Sequence, residues 1–241
     1  MKILITGGNS EIAKAIVKHR SQMGDTCIVT GSTVESLKKC EKEYTKDGIP
    51  FTGIVFNFNE PTITMNDFDA VILNAASKQR KLKQLHELPD DVLEQAITGD
   101  LLGNIKLVKA LLPHMINQNF GRIIFVSSLS SQIGTSLYAG YIAAKSGMEG
   151  VVRNLAVEYS KYNILSNSIR LGLIKTNRNR AVWKRDSYQK SVSNIVLQKR
   201  MGEPSDINPA IDLFLSENLY TTGSALDLAG GLPLPNSSEM A

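Results

Sequence analysis

Cysteine is scarce: the 241-residue chain carries two, Cys27 and Cys40. Two cysteines imply no disulfide framework and fit a reducing compartment. They form no CxxC pair, and His19, His86 and His114 stand far apart, so no metal site is expected. Long hydrophobic runs are also missing. No uninterrupted apolar stretch reaches the roughly 18 residues that suggest a membrane span. A first strand expected at Lys2 leaves no room for a signal peptide, which makes the cytoplasm the expected location. Internal repeats, low-complexity tracts and linkers are absent, and the basic residues sit in loops, which argues against nucleic acid as a partner.

What is present is ordinary for a globular protein: 42% hydrophobic residues, 21% charged residues and a net charge of +4. Short apolar, β-branched runs at 2–6, 27–30, 51–58, 69–76, 121–128, 164–171 and 224–231 read as strands. Helical spacing over 11–23, 34–44, 89–117, 141–159 and 205–217 separates them. This alternation predicts βαβ units and an α/β fold. The expectation is one doubly wound, Rossmann-type domain over 1–241, with a parallel seven-stranded sheet between layers of helices. Only about ten residues, Pro61 among them, join the third strand to the fourth, so a short turn or a single helical turn is expected there.

The first strand ends in TGGNSEIAKAI. Glycines there allow a tight turn, and the helix N-terminus that follows attracts pyrophosphate. Gly7, Asn9, Ser10, Glu11 and Ile12 would line that turn. Further on, YIAAK sets Tyr141 and Lys145 four residues apart, on one helix face. Ser128 closes a strand thirteen residues before Tyr141. Ser127 competes with it; strand alternation sends the two side chains to opposite faces, so only one can serve.

Taken together, and in this order, these features resemble the short-chain dehydrogenase/reductase family, in the subset that includes 3-oxoacyl-carrier-protein reductases. VILNAAS, KALLPHM, GRIIFVSS, EYSKYNILSNSIRLGLIKT and DLAGG are similar to family segments along almost the whole chain. The resemblance implies hydride transfer between a nicotinamide cofactor and a carbonyl or alcohol. Tyr141 would be the proton donor, Ser128 would hold the substrate oxygen, and Lys145 would favour the phenolate; Tyr141 and Lys145 would also contact the cofactor, Lys145 at the nicotinamide ribose. A free phenol, with a pKa near 10, needs such a cation beside it to exchange protons at neutral pH. The family also implies that Asn57 reads the adenine, that Asn74 and Ala75 line the cofactor ribose, and that Thr176 bonds the nicotinamide amide.

Four positions depart from the family pattern. Glu11 and Ala13 replace motif glycines, and Glu11 sets a negative charge near the expected pyrophosphate. Asp100 stands where the family has an Asn that supports a proton relay to the lysine. Leu171 replaces a proline ahead of Gly172. The second strand ends in Gly31-Ser32-Thr33 with no acid to bind a ribose 2′-hydroxyl. Ser32 and Thr33, with Lys38 or Lys39 near, suit a 2′-phosphate instead, which favours NADP(H) over NAD(H).

Two loops should flank the mouth of the site. The segment 77–83 has four basic residues and no acid; 175–200, within a substrate loop at about 173–203, has eight basic residues against Asp186. Such runs read either as a solvated face or as a rim that steers an anionic substrate, such as an acyl carrier protein, a CoA thioester or a phosphorylated sugar. Trp183 would cover the substrate or pack the lid, and Tyr138 would wall the pocket or pack. The helices 89–117 and 141–159 resemble the pair through which family members dimerise, often onward to tetramers. Ala143, Ala144, Gly147 and Gly150 would allow close approach there, or would seat the helix on its own sheet. Three readings of function stay open: a carbonyl reductase acting on 3-oxoacyl thioesters, an oxidoreductase of a specialised sugar or secondary-metabolite pathway, and a non-catalytic relative with impaired cofactor binding.

Overall fold

The computed structural model describes residues 1–58, 65–76 and 83–234. In chain order it contains β1 (Lys2–Ile5), α1 (Glu11–Gln22), β2 (Thr26–Gly31), α2 (Val34–Lys46), β3 (Gly53–Val55), β4 (Ala70–Leu73), α3 (Asp90–Gln95), a π-helical segment (Ala96–Leu102) and α4 (Gly103–Asn117). There follow β5 (Gly121–Ser128), α5 (Ser130–Ile133), α6 (Ala139–Tyr159), β6 (Ile164–Leu171), α7 (Arg180–Trp183), α8 (Asp186–Ile195), α9 (Asn208–Leu215) and β7 (Ala225–Leu228). The seven strands form one sheet in the order β3-β2-β1-β4-β5-β6-β7, and every neighbouring pair is parallel. This is a doubly wound α/β fold.

Strand alternation builds two cores. Ile3, Ile5, Ile72, Ile124 and Val126 face Ile16 and Val17 of α1, Cys40 and Tyr44 of α2, and Ile211 and Phe214 of α9. Leu4, Val71, Leu73, Ile123 and Phe125 point the other way, onto Leu107 and Leu111 of α4 and Met148 and Val152 of α6. Both faces are covered, which is why these strands read as unbroken apolar runs. No helix among the described residues is long and apolar enough to cross a membrane.

Several element bounds differ from the sequence expectation. The third strand shrinks from 51–58 to Gly53–Val55. It is an edge strand, paired with β2; just beyond it the Phe56 amide still donates to the Gly31 carbonyl at 2.9 Å, and the Phe56 and Phe58 rings meet edge-on at 4.9 Å. The strand expected over 69–76 stops at Leu73, because the backbone amides of Asn74 and Ala75 turn to donate to the Thr6 hydroxyl. The expected helix 89–117 is interrupted by the π-helical segment, and 205–217 resolves into a 3₁₀ turn (Pro204–Ile207) followed by α9. The last strand spans Ala225–Leu228 rather than 224–231. The turn expected around Pro61 lies largely outside the described residues, as does the basic segment 77–83 apart from Lys83.

Candidate active site

The turn after β1 is set by its backbone. Gly7 has φ +74°, in the left-handed region, and a Cβ added to Gly8 would lie 2.7 Å from the Val29 side chain. Only glycine suits either position. Ser10 caps α1 by accepting from the Ala13 amide at 3.0 Å. The Asn74 amide group donates to Ser10 Oγ and to the Thr6 carbonyl, each at 2.9 Å. Thr6 Oγ1 in turn accepts from the backbone amides of Asn74 at 3.0 Å and Ala75 at 2.9 Å. Gly7, Ser10, Asn74 and Ala75 therefore meet at the carboxyl ends of β1 and β4. The Gly8 carbonyl accepts from Tyr44 OH at 2.9 Å and from the Cys40 thiol at 3.1 Å. Burial pushes the Cys40 thiol up to about 11 and raises the Tyr44 phenol as well, so both stay protonated donors.

Glu11 and Ile12 open α1, where backbone N–H groups have no helical carbonyl to donate to. Glu11 makes no ion pair with any described residue. Asn9 is exposed. Ser32 and Thr33 are exposed beyond β2; Thr33 caps α2 by accepting from the Ser36 amide. Asn57 is exposed just past β3. The cradle thus fits a dinucleotide: a helix N-terminus, a turn without Cβ atoms and polar groups at both strand ends.

At the next crevice, β5 ends in Ser127 and Ser128. Ser127 is buried, and its hydroxyl donates to Glu149 Oε1 at 2.6 Å. Ser128 is half-buried, and its Oγ accepts from the Ser130 amide at 3.2 Å. Tyr141 is half-buried in the first turn of α6. One turn on, Lys145 is 4% exposed. Its ammonium donates to the Val126 carbonyl at 2.7 Å and lies 5.8 Å from the Tyr141 ring centre and 4.5 Å from that of Phe125. A buried cation thus sits under the phenol ring, anchored from below by β5.

A family model described as short chain dehydrogenase matches residues 1–187. The chain belongs to the short chain dehydrogenase family. Among curated relatives, the 3-oxoacyl-[acyl-carrier-protein] reductase of Buchnera aphidicola subsp. Acyrthosiphon pisum is 30% identical, over 95% of each chain. Dehydrogenase/reductase SDR family member 4 of Bos taurus is 23% identical, over 95% of this chain and 85% of its own. Of solved structures, a gluconate 5-dehydrogenase from Burkholderia cenocepacia in complex with NADP and tartrate has a TM-score of 0.85 at 20% identity, covering 96% of this chain and 94% of its own. This protein is an oxidoreductase of a family that works with nicotinamide cofactors, similar to 3-oxoacyl-ACP reductases.

In this short chain dehydrogenase Asp100 lies in the π-helical segment, 6% exposed, and its carbonyl accepts from the Asn104 side chain at 2.7 Å. That segment packs on α6, with Leu101 against Gly147. Gly147 and the buried Ala144 therefore seat α6 on its own chain, while Ala143 is exposed. Thr176 is half-buried; its backbone amide donates to Asn179 Oδ1 at 2.9 Å, and its carbonyl accepts from the Trp183 indole at 3.0 Å. Trp183 belongs with Tyr188 and Leu173 to a small cluster around Val192, Val196 and Met201, so it packs the lid. Burial, and then the neighbouring Tyr138 phenol, raise the pKa of Tyr188. Tyr138 also meets the Tyr141 ring edge-on at 6.0 Å. Two basic groups of the lid are paired: Lys175 with Glu203, and Arg200 with Asp206. Sequence reasoning missed Thr6, Glu149 and Arg170. Only the recurrence at 141, 145 and 149 along one helix face pointed to Glu149.

Proposed function

We propose that this dehydrogenase uses NADPH to reduce a carbonyl to an alcohol, with a 3-oxoacyl thioester as substrate. The observation that carries the reading is the buried Lys145 ammonium, held by the Val126 carbonyl beneath the Tyr141 ring. The bound cofactor supplies the hydride. Tyr141 gives its hydroxyl proton to the substrate oxygen, and Ser128 donates a hydrogen bond to the same oxygen. Lys145 stabilises the phenolate left on Tyr141 and binds the ribose. Asp100 takes part in returning the proton by way of Lys145. The turn formed by Gly7, Asn9, Ser10, Glu11 and Ile12 seats the pyrophosphate through its backbone, against the Glu11 charge; Asn74 and Ala75 line the ribose, Thr176 holds the nicotinamide amide and Asn57 the adenine. Ser32 and Thr33 take the 2′-phosphate. The thioester follows from the reductase relatives and from the basic lid, which suits an anionic substrate on an acyl carrier protein or CoA. We assign 1–241 to a single domain that assembles as a homodimer or homotetramer through α4 and α6.

The test combines calorimetry with NADPH and NADH, and NADPH oxidation with acetoacetyl thioesters. Tyr141→Phe should lower the reduction rate by about 10²–10⁴-fold, the usual contribution of a positioned acid, while NADPH still binds through Lys145 and the turn after β1. An unchanged rate would remove the mechanism. Glu11 favours a second reading, a cofactor-free relative; no heat with either dinucleotide would decide for it. A panel of sugar and secondary-metabolite ketones tests the remaining choice of substrate.

A further inference from the structure

We propose that Glu149, paired with Arg170, is a positioning residue that fixes the turn bearing Ser128; this rests on the reading of Ser128, Tyr141 and Lys145 as the reacting set. Glu149 follows Tyr141 and Lys145 by eight and four residues, so all three share one stripe of α6. Its side chain is 6% exposed. The carboxylate accepts from Ser127 Oγ at 2.6 Å and from Arg170 at 3.0 Å (Nε to Oε1) and 2.7 Å (Nη2 to Oε2). Ser131 Oγ lies 2.6 Å from Glu149 Oε1 and 2.7 Å from the Ser128 carbonyl, its one proton shared between two acceptors. Ser146 of α6 donates to the Ser131 carbonyl at 3.1 Å. The turn after β5 is thus hooked to α6 through both the side chain and the backbone of Ser131. Arg170 reaches on to Asp227 of β7 at 3.3 Å, so one charged line joins β5, α6, β6 and β7.

A buried ion pair is a poor device for stability alone, because well-packed apolar residues of the same volume do as well or better. Here it does something an apolar cluster cannot. It binds the Ser127 hydroxyl inside the protein and leaves Ser128 as the half-buried hydroxyl at the end of β5. It also sets the height of the Ser128 carbonyl through Ser131. Buried charges and hydroxyls with every lone pair occupied have few alternative arrangements.

The test uses Glu149→Gln in the full-length protein, with Ser131→Ala as a milder variant that deletes one hydroxyl. Hydrogen exchange is followed by mass spectrometry on peptides covering 128–138, with β1 and β4 peptides as internal controls. Bracing predicts at least tenfold faster exchange over 128–138 in Glu149→Gln, about threefold in Ser131→Ala, and unchanged controls. Kinetics give the second readout: kcat falls at least tenfold in Glu149→Gln, with KM for NADPH within twofold. In a Ser128→Ala background the same change should cost less than twofold, because the residue it positions is gone. Unchanged exchange in both variants, or losses that multiply in the double variant, would overturn the proposal. If the wild type reduces no carbonyl, the functional reading fails while the exchange data still decide the bracing.

Discussion

Glu11 occupies the first position of α1, where two electrostatic effects oppose each other. A carboxylate at a helix N-terminus stabilises the helix by a few tenths of a kcal/mol or more. The same charge repels a pyrophosphate seated on that turn. Glu11→Gln should therefore tighten NADP(H) binding about three- to tenfold at low salt, as Coulomb energies near a protein surface allow. Calorimetry at two ionic strengths checks this: the gain should shrink as salt screens the pair, and equal affinities at low salt would refute it. The residues proposed for the chemistry were the legible ones, because the proposed chemistry fixes their spacing. Tyr141 and Lys145 must share a helix face, and glycines must line the turn after β1. Ser128 and Ser127 were not separable, since alternation says only that they diverge; what divides them is Glu149, twenty-two residues from Ser127 on another element. Thr6 looked like a strand end, and its hydroxyl proved to be the pivot for Asn74 and Ala75.

At the scale of elements, β5 is fixed at both ends. Its amino end carries Arg122, fully buried, whose guanidinium donates to the carbonyls of Ser216, Glu217, Gly121 and Asn163 at 2.8–3.0 Å. Burial lowers the pKa of this guanidinium. Arg122→Met would leave these carbonyls without their donor and should cost about 3 kcal/mol or more. Urea unfolding measures that loss, and activity per folded molecule should stay the same because Arg122 lies at the opposite end of β5 from Ser128. The central strands were legible in the sequence because both their faces are covered. Their ends were not, because hydroxyl-to-backbone bonds and edge pairing end a strand without changing its composition. The π-helical segment was invisible for a similar reason: one extra residue in a helical turn leaves local spacing almost unchanged. The lid helices α7 and α8 enclose only a small core, Val192, Val196 and Met201, too little for a clear periodic signal.

For the molecule as a whole, Glu149 gives acid sensitivity a definite place. Burial alone would raise its pKa, but hydrogen bonds from Arg170, Ser127 and Ser131 outweigh burial and hold it below the ordinary value of 4.5. A carboxyl depressed by folding contributes stability that is complete above its unfolded value and is lost as pH falls through its folded one. Unfolding midpoints in urea should therefore hold level towards neutrality and drop below about pH 4.5. In Glu149→Gln that drop should be shallower, the remainder coming from Asp206, Asp47 and Asp67, which are also depressed by their bonds to Arg200, Lys14 and Lys2; an equally steep drop would place the sensitivity elsewhere. A last consequence follows from the Gly8 carbonyl, which Tyr44 and Cys40 of α2 hold from below. Because α2 also begins at Thr33, a single helix would, on the proposed reading, link the seat of the diphosphate to that of the adenosine. If the proposed dinucleotide binds there, it meets both contacts already in place, and discrimination between its phosphorylated and unphosphorylated forms should register as residence time, with both captured at nearly the same speed.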